Sequence, residues 1–553
     1  MRRTCSHLAV PRPVAGLVVA LVLVSGCGRP PEPDAAPAAF RYEDLVSFFR
    51  EWRGFQAPVL VDGVPDYSPA AMETQHAALP AWQRRLDAIR SDGWPIAQQA
   101  DWHVVRAEMN GLDFDHRVLK PWANNPAFYA TVFADESDQP AREGPFAAGA
   151  VELWALPVPL TVEAATAVGP RLRAIPALLT QARTNLTGNG HDLWRHAPGA
   201  LRQQSADLAA FGTSLPAGMA ALRADVDRAK QATDGFIAWV EAQTPSKTGP
   251  SGVGVDNYTW YLRHVHLVPY TWQDEVTLME RELARAHALL SGEETRNEAL
   301  PPLEVVGSPD DHARRFPAAL AEYMAFLGSR GMLTVKPYME PALRARLGGF
   351  QAGPREFFTE VDYREPMAMR AHGFHWFDKA AMAHEPSPTA IRAVPLLYNM
   401  FDTRTEGLAT GWEEWTMAAG LFDRRPRSRE LIAILVAQRA ARALGDLRMH
   451  ANEQTLEQAA AFAAANTPRG WLRLDGTLVR GEQHLYLQQP AYGTSYLIGK
   501  AQIESLIAAR RRQLGDRFTM KAFIDEFTAA GLIPMSLITW QLTGDRPAWL
   551  RTN

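Results

Sequence analysis

The chain has 553 residues, 47% hydrophobic and 21% charged, an ordinary globular composition with length enough for two or three domains. Its formal charge is −4. Residues 1–26 hold three Arg and no acids, so the remainder carries 54 basic against 61 acidic residues, a balance of −7 that argues against nucleic acid as a partner. Beyond the N-terminus no apolar run is long enough to span a membrane.

Arg2 and Arg3 open a positive segment, residues 14–24 are apolar, and Val24-Ser25-Gly26-Cys27 is a small-residue cleavage site that ends in Cys. Residues 1–26 therefore read as a signal peptide. The arrangement resembles the bacterial lipoprotein signal, which implies that Cys27 becomes the lipidated first residue and anchors the chain to a lipid bilayer in the cell envelope. Gly28, rather than Asp, after Cys27 implies by the same resemblance the outer membrane, facing the periplasm. Residues 27–39, rich in Pro and Ala, read as an extended tether. Residues 40–553 read as one large helical domain in two lobes, with a candidate division at 244–254. The only cysteines are Cys5 and Cys27, so the folded domain has no thiol for a disulfide, a metal or nucleophilic catalysis.

Helical periodicity dominates. Trp82, Leu86 and Ile89 form one apolar stripe, and Trp102, Val105, Met109 and Leu112 a second. Met219, Leu222, Val226, Ala229, Phe236 and Val240 form a third, and Phe316, Leu320, Tyr323 and Leu327 a fourth. His264 and His266 would point the same way in a strand. With no third ligand in view they read as structural or substrate-contacting rather than metal-binding. Gly348-Gly349 has no Lys-Ser/Thr after it, so no phosphate loop is indicated. Thr455 with Gln458 predicts a capping box opening a helix through Phe462. Alternation at 471–479 and 484–487 predicts a short hairpin, and helices are predicted at 504–514 and 520–530. The fold class is mainly α, a large multi-helix array with few short strands.

The chemistry concentrates between these elements. Glu406, Thr410 and Glu413 stand at i, i+4 and i+7, so a helix aligns two carboxylates on one face. Ser428 is placed to cap a following helix whose polar stripe is Arg439, Arg442, Asp446 and His450. Lys is absent from 380 to 499, and Arg in its place suits planar ion pairs or carboxylate recognition. Either a site or a buried structural ion-pair network accounts for the pattern.

Four segments resemble one bacterial family, the domain-of-unknown-function family numbered eight-eight-five. Glu406-Gly-Leu-Ala-Thr-Gly-Trp-Glu413 is similar to its E-G-W-A-L-Y-A-E helix, and Arg439 through His450 to its R-x-x-R-x-x-x-D-x-x-x-H helix. Residues 490–500, ending Gly499-Lys500, are similar to its Y-x-x-G-K helix start, and residues 514–534 to its closing segment. The resemblance implies a lipoprotein related to gluzincin zinc peptidases, with a clam-shaped helical fold, a central cleft, and Glu406 as a metal ligand. This chain departs from the family's H-E-x-x-P-G-H motif: at the corresponding place stand His372-Gly373-Phe374-His375. His384-Glu385 is its sole His-Glu dipeptide, and Pro386 and Pro388 prevent a helix from continuing there.

A zinc hydrolase needs fixed ligands, an open position and a carboxylate base. The resemblance implies one zinc ion on His372, His375 and Glu406, with Glu385 or Glu413 as base. His450 and Tyr496 would stabilise an oxyanion or grip the substrate, and Arg439 and Arg442 would hold a substrate carboxylate. The expected function is hydrolysis of peptides or small amides. The alternative is a metal-less, non-catalytic peptide-binding or structural envelope lipoprotein on the same fold.

Overall fold

The computed structural model describes residues 40–551; the signal peptide, Cys27 and the tether lie outside the described residues. From Arg41 onward the chain forms one unit that is mainly α-helical. The four apolar stripes map onto the helices Pro69–Ala88, Ile96–Phe114, Ala220–Gln243 and Pro309–Arg330, with Ile89 and Met219 at capping positions; all of their residues but the half-buried Trp82, Trp102 and Met219 are buried, as a 3.6-residue period requires. Thr455 and Gln458 form the expected capping box at the start of Leu456–Asn466. Strand content among the described residues is two short pairs: Leu60–Val61 antiparallel with Val64–Pro65, and Val132–Phe133 parallel with Val151–Glu152.

Two local expectations are corrected. The hairpin is absent, and Leu478–Gln488 is a helix. Its buried residues Val479, Gln483, Tyr486 and Leu487 follow helical spacing, which the apparent alternation concealed. Ser428 is the first helical residue of Ser428–His450 and makes no cap; its hydroxyl donates to Glu365 Oε2 at 2.8 Å.

Three helices form the scaffold of the site. Ser428–His450 is buried along its length except at Arg429 and Arg448, as befits a core helix rather than an amphipathic one. Asp402–Ala418 is buried almost as completely. It crosses Tyr492–Leu514 where Gly407 meets Gly499: a Cβ on Gly499 would lie 1.9 Å from the Thr403 carbonyl oxygen. Glycine at both positions therefore lets the two backbones touch, and that contact fixes Glu406 beside Tyr492. A further core fills the space among Val162–Asn185, His191–Ser214 and Ala220–Gln243, ending at Val240.

Candidate functional site

His372, His375 and Glu406 converge: one ligating atom from each lies within 4.8 Å of the others. The two histidines do not share a helical face. Gly373 ends the helix Pro366–His372 and begins Phe374–His384, and this break brings the two imidazoles to 5.1 Å in an edge-on arrangement. A Cβ at Gly373 would lie 2.5 Å from Leu343 Cδ2, a buried core side chain. A larger side chain could stand there only if Leu343 moved.

Glu406 is 2% exposed. Its Oε1 accepts from Gln139 Nε2 and from the Tyr492 hydroxyl, each at 2.8 Å, while Oε2 faces His375 Nε2 at 3.3 Å. Neither Oε2 nor that Nε2 has a hydrogen-bond partner. Burial disfavours the Glu406 anion, but the His375 charge, His372 and the Tyr492 hydroxyl outweigh it and hold the carboxyl down to about 2. Burial likewise disfavours the His375 cation, yet Asp138 and Glu406 push the ring up to about 9.

Around this centre stands a supporting shell. Nδ1 of His372 lies 3.0 Å from Glu413 Oε1 and 3.1 Å from Arg439 Nη2; the tautomer that donates from Nδ1 to the carboxylate leaves Nε2 to ligate, the usual arrangement behind a metal-bound histidine. Glu413 is in turn gripped by Arg439 through two bonds of 2.7 and 2.8 Å. The donor set suits zinc: two imidazoles and a carboxylate, with the facing pair at 3.3 Å. Two ligands of a tetrahedral zinc ion, each about 2.0–2.1 Å from it, stand about 3.3 Å apart.

The other expected site residues divide. Glu413 is beside the centre but fully committed to Arg439 and His372, which makes it an orienting group rather than a free base. Glu385 does not join the centre. The helix ends at His384 before Pro386 and Pro388, and the exposed carboxylate pairs with Lys336 at 2.8 Å. Arg439 gives both terminal nitrogens to Glu413 and keeps only Nε without a partner, so it offers no free pair of nitrogens to a substrate carboxylate. Arg442 pairs with Glu482 yet keeps Nε and Nη2 without partners, beneath the Tyr496 ring at 5.4 Å. Tyr496 packs on Tyr492 at 5.8 Å. His450 faces elsewhere: its ring lies 3.0 Å from the Tyr486 carbonyl oxygen and 5.4 Å from the Tyr258 ring, and burial pushes it down to about 4. The His264/His266 pair is not on a strand; His264 ends a helix and packs on Trp260, and His266 lies against Tyr261.

Three residues without an assigned role in the sequence reading complete the surroundings. Gln139 and Glu143 arrive on the irregular segment 134–150, and Tyr492 begins its helix. Glu143 Oε1 is 3.4 Å from the Tyr492 hydroxyl, and Oε2 accepts from Ser137 at 2.9 Å. Burial, with Asp138 and Glu406 adding, raises its carboxyl to about 7.

Comparison with known proteins agrees with this architecture. Two solved structures share the fold. One, a candidate lipoprotein of unknown function from Shewanella oneidensis, has a TM-score of 0.64 at 16% identity, covering 91% of this chain and 98% of its own. The other, a candidate lipoprotein from Colwellia psychrerythraea, has a TM-score of 0.62 at 15% identity, covering 93% and 100%. No curated protein sequence matches. The family profile described as bacterial protein of unknown function, DUF885, matches residues 53–419 and 375–542. Those two stretches take in both histidines, the Glu406 helix, the arginine helix and Tyr492, and the chain is a member of the DUF885 family.

Proposed function

We propose that this protein is an envelope lipoprotein, anchored through Cys27 to the outer membrane and facing the periplasm, that hydrolyses peptides or small amides at a zinc centre of His372, His375 and Glu406. The observation that carries the reading is the buried ion pair of His375 Nε2 and Glu406 Oε2 at 3.3 Å, with no hydrogen-bond partner on either atom, beside a histidine whose Nδ1 faces Glu413. Zinc accepts this nitrogen and oxygen set, and the domain offers no thiol for a softer metal. A bound zinc ion supplies Lewis acidity at this place. The chain's own residues do the rest. Gln139 and Tyr492 hold Glu406 in position, the free edge of Arg442 takes a substrate carboxylate, and Glu143 accepts the proton of the attacking water in place of the missing motif glutamate. A carboxyl near pH 7 is matched to that task.

Elemental analysis of protein purified without added metal should find close to one zinc per chain, and Glu406→Gln or His375→Ala should bring this near zero. Glu143→Gln should retain zinc and lose about 10²–10⁴-fold in kcat on short peptides. Loss of zinc together with activity in that variant would make Glu143 structural. Cys27→Ala should move the protein from the membrane fraction to the soluble one; persistence in the membrane refutes the anchor.

A second reading is favoured by Gly373. With the motif glutamate replaced where Leu343 fills the space, the His375–Glu406 contact would close the centre as an ion pair, and the protein would bind peptides without hydrolysing them. Zinc stoichiometry near zero, unchanged after dialysis against zinc, decides for it.

A further inference from the structure

The segment 134–150, which brings Gln139 to Glu406, also walls a cavity of about 360 Å³, within the range of about 300–1,000 Å³ typical of small-molecule sites. Its walls are aromatic and apolar, with Tyr67, Trp122, Phe128, Tyr261 and Tyr398 contributing rings. Its polar lining is mostly amide, from Gln56, Gln75, Asn399, Gln488 and Gln489, with Arg142 the one basic group. Asp115 is the acidic one, and burial raises its carboxyl to about 8. At neutral pH it is therefore an uncharged hydrogen-bonding group, compatible with an apolar guest.

The backbone around the cavity is bent to make it. Tyr398 and Asn399 hold φ of 59° and 46°, left-handed values that cost energy in residues other than glycine and gather at functional sites. A Cβ on Gly111 would lie 2.3 Å from the Tyr398 ring, so glycine there is what lets the ring lie flat against the wall. Asp115 opens a π-helical turn, Asp115–Leu119, another irregularity frequent at functional sites.

The connection to the centre is short. Gln489, in the cavity wall, accepts from Gly144 N at 2.6 Å and donates to Asp402 Oδ2 at 2.8 Å. Asp402 is four residues, just over one helical turn, before Glu406, about 6 Å along the axis. The segment 134–150 walls both places: Gln139 reaches Glu406, while Ala141 and Ala148 line the cavity. Long irregular segments of this kind in compact domains are usually functional.

We propose that this cavity receives an aromatic side chain of the peptide or amide held at the His372–His375–Glu406 centre. The pocket itself stands on the cavity walls alone; its role in substrate choice rests on the hydrolase reading. Fluorine NMR titration of 5-fluoroindole into the full-length protein tests the pocket with neither metal nor turnover. Saturable binding is expected, weakened at least tenfold by Ala141→Trp and by Ala148→Phe, two half-buried positions where a large side chain fills the space. Either variant suffices if the other fails to reach the wild-type melting temperature. No saturable binding to wild type, or undiminished binding to the folded variants, overturns the proposal. A short-peptide panel should then show at least a tenfold preference in kcat/KM for Phe or Trp near the scissile bond, lost in Ala141→Trp. Zinc-loaded, active protein without that preference overturns the specificity role, whereas zinc-free protein that binds 5-fluoroindole keeps the pocket and refutes the hydrolytic centre instead.

Discussion

Gly499→Val should cost at least about 3 kcal/mol of stability and disrupt the His372–His375–Glu406 group with it. At this crossing there is no side chain to rotate away: the added Cβ would meet the Thr403 carbonyl oxygen at 1.9 Å and Gly407 Cα at 2.8 Å. Overpacking relieved by side chains typically costs about 1–3 kcal/mol; here the helices Asp402–Ala418 and Tyr492–Leu514 must part. Gly407→Ala meets the same obstacle from the other side, with the Gly499 carbonyl carbon at 2.4 Å. Glu406 adjoins Gly407 and its Tyr492 partner lies on the opposing helix, so separation would break the 2.8 Å bond between them. The control is Gly54→Ala, inside the helix Tyr42–Gln56 with nothing within 4 Å, which should be neutral or gain up to about 1 kcal/mol from helix propensity. Denaturant unfolding of the three variants checks the order. Equal midpoints for Gly499→Val and wild type would show that the two helices do not meet as described.

Glu413→Gln should destabilise the protein by about 3–5 kcal/mol, because it leaves the Arg439 guanidinium buried without its counter-charge. Both groups are essentially inaccessible, at 0% and 1% exposure. Burial opposes ionisation of Glu413, but Arg439 and His372 outweigh it and hold the carboxyl below its ordinary value of 4.5. A depressed carboxyl contributes stability that is present above the unfolded-state value and is lost as pH falls through the folded one. The difference between wild type and Glu413→Gln should therefore be full at pH 6–7 and shrink in acid below about 4.5. A difference that stays constant down to pH 3 would mean that the pair contributes by shape rather than charge. His372 should also lose its fixed orientation, so zinc affinity should fall about 10–100-fold, as for other outer-shell carboxylates.

Residue spacing anticipated part of the site and misread the rest for identifiable reasons. The face Glu406–Thr410–Glu413 is real because four-residue spacing is a local property of a helix, and all three residues are buried. The stripe Arg439–Arg442–Asp446–His450 is equally buried, but it does not serve one cleft. Eleven residues advance about 16 Å along a helix, so Arg439 meets Glu413 and His372 while His450 meets Tyr486 and Tyr258. Glu385 stands in the one His-Glu dipeptide of the chain. The two prolines that end its helix also aim its carboxylate at Lys336 on the surface.

The mainly helical architecture, the Thr455–Gln458 capping box, the absence of thiols and the candidacy of His372, His375 and Glu406 as ligands were legible in the order of residues and in the family resemblance it carries, because periodicity and capping are set by neighbours a few positions apart and ligand type by the residue itself. The partners of that trio were not. Gln139 lies 267 positions from the Glu406 it bonds, on a segment with no periodicity to place it. Glu143 becomes a carboxyl near pH 7 only when the fold buries it beside Asp138 and Glu406. The break at Gly373 and the contact of Gly407 with Gly499 depend on what stands opposite, Leu343 in one case and a second backbone in the other. Tertiary packing alone decides these, since burial and long-range proximity arise only when distant segments meet.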